Sequence, residues 1–110
     1  MSADYVARLI YGYEITEEQY NCLEENYDIV REESKDIECR VDAWMIGLCQ
    51  CKYFFGIQTA HLDLNYDDYI EPISASVSHA IVLERIAERL HLDLKSSQYP
   101  RLILINGISY

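Results

Sequence analysis

The run Asp63-Leu64-Asn65-Tyr66-Asp67-Asp68-Tyr69-Ile70-Glu71 gathers oxygen ligands and tyrosines in one short stretch. Asp63, Asn65 and Asp67 stand at positions 1, 3 and 5 of a calcium loop, where oxygen ligands suit a hard cation. The pattern then fails. Position 6 should be glycine and is Asp68; position 12 should be glutamate and is Ser74. The flanks read as a strand before and a helix after, not as two helices. An acidic surface loop fits better. Tyr66 and Tyr69, interleaved with the carboxylates, add a capacity for macromolecular contact, because tyrosine offers large contact area at low entropy cost.

Cys49 and Cys51 could supply half of a zinc site. A structural site wants four ligands, usually paired with two to four residues between them. Here the gap is one residue, and Cys22, Cys39 and His61 are scattered. Packed structural thiols are the simpler expectation. A redox role needs a lowered thiol pKa beside basic groups, and only Lys52 is near. His61, His79 and His91 have no catalytic spacing. No P-loop, Gly-x-Gly-x-x-Gly, Gly-x-Ser-x-Gly or His-Glu-x-x-His occurs. The expectation is a protein without catalysis, cofactor or bound metal.

Charge is the next constraint. The 110 residues carry 19 acidic and 9 basic side chains, a net of −10. That surface repels nucleic acid phosphates and anionic lipid, so direct binding to either is disfavoured and a basic partner is favoured. Residues 1 to 75 hold 16 acidic and 5 basic side chains, a net of −11; residues 76 to 110 hold 3 and 4, a net of +1. The acidity has a location. No apolar run approaches the roughly 20 residues of a membrane span, and Met1-Ser2-Ala3-Asp4 does not open a signal peptide. A cytoplasmic location with reduced cysteines is expected.

These residues must be positioned by a small framework. The length suits one domain over residues 1–110, and half the residues are apolar, enough for a core. Residues 5–13 read as a strand, rich in aromatic and β-branched types. Thr16 and Gln19 form a capping-box pair, with Ile15 and Tyr20 at the hydrophobic-staple positions. Tyr20, Leu23, Tyr27 and Val30 follow at the spacing of one helix face, predicting a helix over 16–33. Its other face carries Glu17, Glu18, Glu24, Glu25, Asp28, Glu32 and Glu33, offset only by Arg31. That face is either simply solvated or shown to a basic partner.

Residues 39–48 and 52–62 read as two strands, 63–75 as a loop and 77–92 as a second helix capped by Ser76 or Ser78. A last strand runs over 102–105. The order predicts a single α+β domain of the ferredoxin-like βαββαβ pattern, a four-stranded antiparallel sheet with two helices on one face. Of the ten tyrosines, Tyr66, Tyr69, Tyr99 and Tyr110 fall in loops or at the end of the sequence.

The combination resembles the small acidic proteins that phages and mobile elements direct against host defences, the anti-CRISPR inhibitors among them. The resemblance rests on size, negative charge, the runs of carboxylate and tyrosine, and the missing catalytic motifs. The stretch Tyr11-Gly12-Tyr13-Glu14-Ile15-Thr16-Glu17-Glu18-Gln19-Tyr20 also looks like the openings of uncharacterised phage proteins. These inhibitors share no common sequence, so no site residue is carried over from them. What the resemblance implies is DNA mimicry: a protein that blocks the nucleic-acid site of a basic host complex. The contact residues it would use are Glu17, Glu18, Glu24, Glu25, Asp28, Glu32, Asp63, Tyr66, Asp67, Asp68, Tyr69 and Glu71. The alternative is a small-ligand or metal-binding regulatory module, with a homodimer as a further option.

Overall fold

The computed structural model describes residues 4–47, 51–63, 68–70, 76–94 and 100–109. Strand β1 (Asp4–Ile15) leads into helices α1 (Glu17–Glu25) and α2 (Tyr27–Ser34). Strands β2 (Val41–Ile46), β3 (Lys52–Asp63) and β4 (Asp68–Ile70) follow, then α3 (Val77–Arg89) and β5 (Arg101–Ser109). The result is a small α+β domain. Its antiparallel sheet runs β2-β3-β1-β5, and β4 pairs with the far end of β3. Among the described residues no helix is long and apolar enough to cross a membrane.

The strict βαββαβ alternation is not what the chain adopts, for two local reasons. The single helix expected over 16–33 is broken at Asn26, whose φ of −117° and ψ of 35° leave the helical region. Its Nδ2 donates to the Cys22 carbonyl at 2.7 Å, and its backbone N–H donates to Cys22 and Leu23 carbonyls. A short amide side chain competes with the helix ladder in this way. The second reason lies in the segment expected as a loop, 63–75, where Asp68–Ile70 pair with His61–Asp63 as β4.

The other boundaries shift less. α3 begins at Val77 after Ser76, whose N–H donates to His79 Nδ1 at 3.2 Å. It stops three residues short of the expected 92. His91 turns to φ 54°, its N–H donates to the Glu88 carbonyl, and Leu92 N–H donates to Ala87 at 2.8 Å. That is a Schellman closure with a histidine where glycine is usual.

β1 and β3 are the spine. Tyr13 faces Phe55 and Tyr11 faces Ile57 across the ladder, while Gly12 faces Gly56. Cross-strand partners point to the same side. Tyr13, Ile15, Phe55, Ile57, Val41 and Ala43 therefore meet Leu23, Val30, Val82, Leu83 and Ile86 of the helices in one core. The opposite side at the Gly12–Gly56 pair has no room for a side chain. A Cβ on Gly12 would overlap the Phe55 carbonyl oxygen, and one on Gly56 would come within 2.5 Å of the Tyr11 oxygen. Three residues beyond Gly56, β3 bulges: Leu9 pairs with Ala60 and Ile10 with Gln58, leaving Thr59 extra. Thr59 is buried, and its hydroxyl donates to the Leu9 carbonyl at 3.0 Å.

The Gly12 contact is backbone against backbone, so it cannot relax by turning a side chain. Gly12→Ala should lower unfolding free energy by about 2 kcal/mol, the usual cost of overpacking. Urea denaturation measures it; an unchanged midpoint would show that the pair is looser than described.

Candidate functional site

α1 starts where the sequence placed it. Thr16 Oγ1 accepts the Gln19 N–H at 3.2 Å, and Gln19 Oε1 accepts the Thr16 N–H at 2.9 Å. Gln19 Nε2 also donates to the Asp93 carbonyl at 2.7 Å, tying α1 to the segment after α3. Ile15 and Tyr20, the staple pair, both join the core cluster. The Tyr20 ring lies 5.1 Å from the Tyr53 ring, which fixes the start of α1 over the start of β3.

This anchoring turns the acidic face outward. Glu17, Glu18, Glu24 and Glu25 on α1 and Asp28 and Glu32 on α2 are all exposed. On α1, Glu17 and Glu24, and Glu18 and Glu25, stand two turns apart on one side, and Asp28 opens α2 beyond the break. Among the described residues, no ion pair reaches those five. Two of them act on neighbouring phenols: after burial, the charge of Glu17 raises Tyr53 and that of Glu24 raises Tyr20 above the ordinary value. Glu32 is different. Arg89 of α3 pairs with it at 3.3 Å and with Glu33 at 3.1 Å, so this end of the face is partly neutralised. Arg31 is spent on Tyr27, its guanidinium carbon 5.9 Å from the ring centre.

The second acidic group is placed only in part. Asp63 ends β3 and pairs in register with Asp68; Tyr69 pairs with Leu62. Tyr66, Asp67 and Glu71 lie outside the described residues, as do Tyr99, Tyr110 and Cys49. α1 begins beside Tyr53, and Asp63 is ten residues further along the strand. At about 3.3 Å per residue that is roughly 30 Å. The carboxylates at the start of α1 and those around β4 therefore belong to opposite ends of β3.

Among the described residues, no three His, Cys, Asp or Glu side chains stand close enough to hold an ion. Cys22 and Cys39 are half-buried and Cys51 is exposed. Cys39 lies 3.9 Å from His79 Nε2, and burial followed by the charge of Glu38 raises its thiol above the ordinary value. That is the opposite of an activated thiol.

One constellation has no counterpart in the sequence pattern. On the sheet face away from the helices, Arg8 and Arg40 flank Trp44, their guanidinium carbons 5.6 and 6.0 Å from the ring centre. Arg40 pairs with Asp42 at 2.9 Å, and Arg8 Nη1 donates to buried Gln58 at 3.4 Å. Burial, then the charge of Arg40, lowers the Arg8 pKa against the opposing pull of Asp42. Among the described residues the buried Trp44 indole nitrogen has no acceptor. The two arginines stack against the one tryptophan, a cation–π arrangement that offsets part of that cost. Nothing local links positions 8, 40 and 44, since only the β1–β3–β2 register assembles them.

No family model, no curated protein and no solved structure matches the chain.

The acidic face leaves a mark on its tyrosine. Burial first, then the nearby Glu24 and Asp42, raise the Tyr20 phenol above its ordinary value near 10. A raised acid pKa stabilises the fold while the phenol stays protonated. That contribution is complete below pH 10 and is lost as pH rises through the folded value. Ultraviolet titration should show a late-ionising tyrosine class whose ionisation coincides with loss of helical signal. Ionisation of every tyrosine together, with the fold intact, would contradict this.

Proposed function

We propose that this chain is an inhibitor that binds a basic, nucleic-acid-binding protein or complex through the carboxylates of α1 and α2. The observation that carries the proposal is the set Glu17, Glu18, Glu24, Glu25 and Asp28. All five are exposed and have no ion pair among the described residues. Carboxylates gathered on one surface repel one another. A lysine- or arginine-lined groove would relieve that repulsion on binding. The carboxylates would stand in for phosphates, in the manner of the anti-CRISPR inhibitors that the sequence resembles. The place of action would be a host cytoplasm. Asp63, Asp68 and Tyr69 would form a second, separate contact.

The ferredoxin-like reading of the fold belongs here too. It is supported by the antiparallel order β2-β3-β1-β5, with a helical segment after β1 and another before β5. On this reading the break at Asn26 and the strand β4 are additions to that plan.

Attraction of this kind is screened over a Debye length of about 8 Å at physiological salt. Immobilised protein in a bacterial lysate at low salt should capture a nucleic-acid-binding protein. Added salt or added DNA should release it. E24K/E25K should weaken capture about tenfold, or roughly 1.4 kcal/mol. Capture that survives both salt and charge reversal would overturn the proposal.

A further inference from the structure

Strand β5 ends the sheet opposite β2, and among the described residues it pairs only with β1. Among the described residues its outer edge therefore presents backbone N–H and C=O groups without a ladder. The register puts Leu102 with Tyr11 and Leu104 with Leu9, on the helix side of the sheet. The helices do not reach that far: Leu102 is 57% exposed and Leu104 is 70% exposed. On the other side Ile105 is buried. Proteins usually blunt such an edge with lysine, proline or a bulge. From Leu102 to Ser109 the strand has no charged residue and no proline, and its pairing with β1 is unbroken.

We propose that this edge is where two copies of the chain associate, β5 against β5 in antiparallel register about a two-fold axis. Charge selects the second copy as the occupant. Two molecules of net −10 repel over most of their surfaces. The largest group of carboxylates sits on α1 and α2, which pack over β2 and β3, with β1 between those strands and β5. β5 itself holds no carboxylate, so two copies can meet along it without opposing carboxylates on the paired strands. It is also self-complementary. A two-fold pairing centred on Ile103 sets Leu102 opposite the second copy's Leu104 on one side and Ile103 opposite the second copy's Ile103 on the other. An antiparallel ladder then continues through both sheets. A charged peptide would find a single counter-charge on this strand, Arg101 at its start.

Size-exclusion chromatography with light scattering on the full chain tests the proposal. The expected result is twice the monomer mass, with association unchanged or tighter as salt rises, because salt screens the mutual repulsion. L102E/L104E places like charges at exposed positions of the paired edge, so it should give a monomer with an unchanged circular dichroism spectrum. M45K, on exposed Met45 of the opposite edge strand, should stay dimeric. The proposal is overturned by a wild-type monomer at all concentrations and salts, including one that instead takes up an extended apolar peptide. It is overturned equally by a dimer that survives L102E/L104E or is lost in M45K. Charge reversal on α1 should leave the dimer intact, so this test fails or succeeds apart from the inhibitor proposal.

Discussion

The close approach of Gly12 and Gly56 is the constraint on which the rest of the molecule depends. It lets the backbones of β1 and β3 meet at the centre of the sheet. The residues on either side, Tyr13 with Phe55 and Tyr11 with Ile57, are thereby committed to the helix face. Phe55 and Ile57 are fully buried there with Leu83 and Ile86 of α3. Burial of each such side chain contributes about 1.5–3 kcal/mol. A slip of one residue in this register would send all of them to the other face.

Once that face is fixed, the charges have little choice. α1 and α2 must turn Leu23 and Val30 inward, and their carboxylates then face solvent. The capping box at Thr16 and the buried stripe hold α1 against the repulsion along its outer side. The Arg89 pairs with Glu32 and Glu33 tie α2 to α3, on the same side of the sheet. β5 lies beyond the helices, next to β1. It is apolar on both sides and carries one charged residue, Arg101. Two chemically different surfaces follow from one packing decision: an acidic helical face and a neutral sheet edge.

Much of this was legible in the sequence where the signal is local. The Thr16–Gln19 box, the Ile15–Tyr20 staple and the stripe Tyr20, Leu23, Val30 are spacing rules, and the chain obeys them; Tyr27, expected on the same stripe, is exposed, just past the break at Asn26. The five strongly apolar or capped elements were found for the same reason. The break at Asn26 was not, because an asparagine at a helical position looks alike whether its amide faces water or the Cys22 carbonyl. β4 is three residues of mixed polarity and owes its pairing to the strand beside it. The Arg8–Trp44–Arg40 stack is farther still from any local rule, since the register between three strands brings it together. The same limit applies to the exposure of Leu102 and Leu104. Their alternation reads as a half-buried strand, and only the reach of the helices decides that the leucine side is left open.

Segregation of charge is the central claim, and amide chemical-shift mapping with a short lysine oligomer tests it most directly. The account predicts perturbations concentrated on residues 17–32 and 63–71 that fade as salt is added. Residues 101–105 should be unmoved. Perturbations spread evenly over the molecule, or centred on β5, would contradict it.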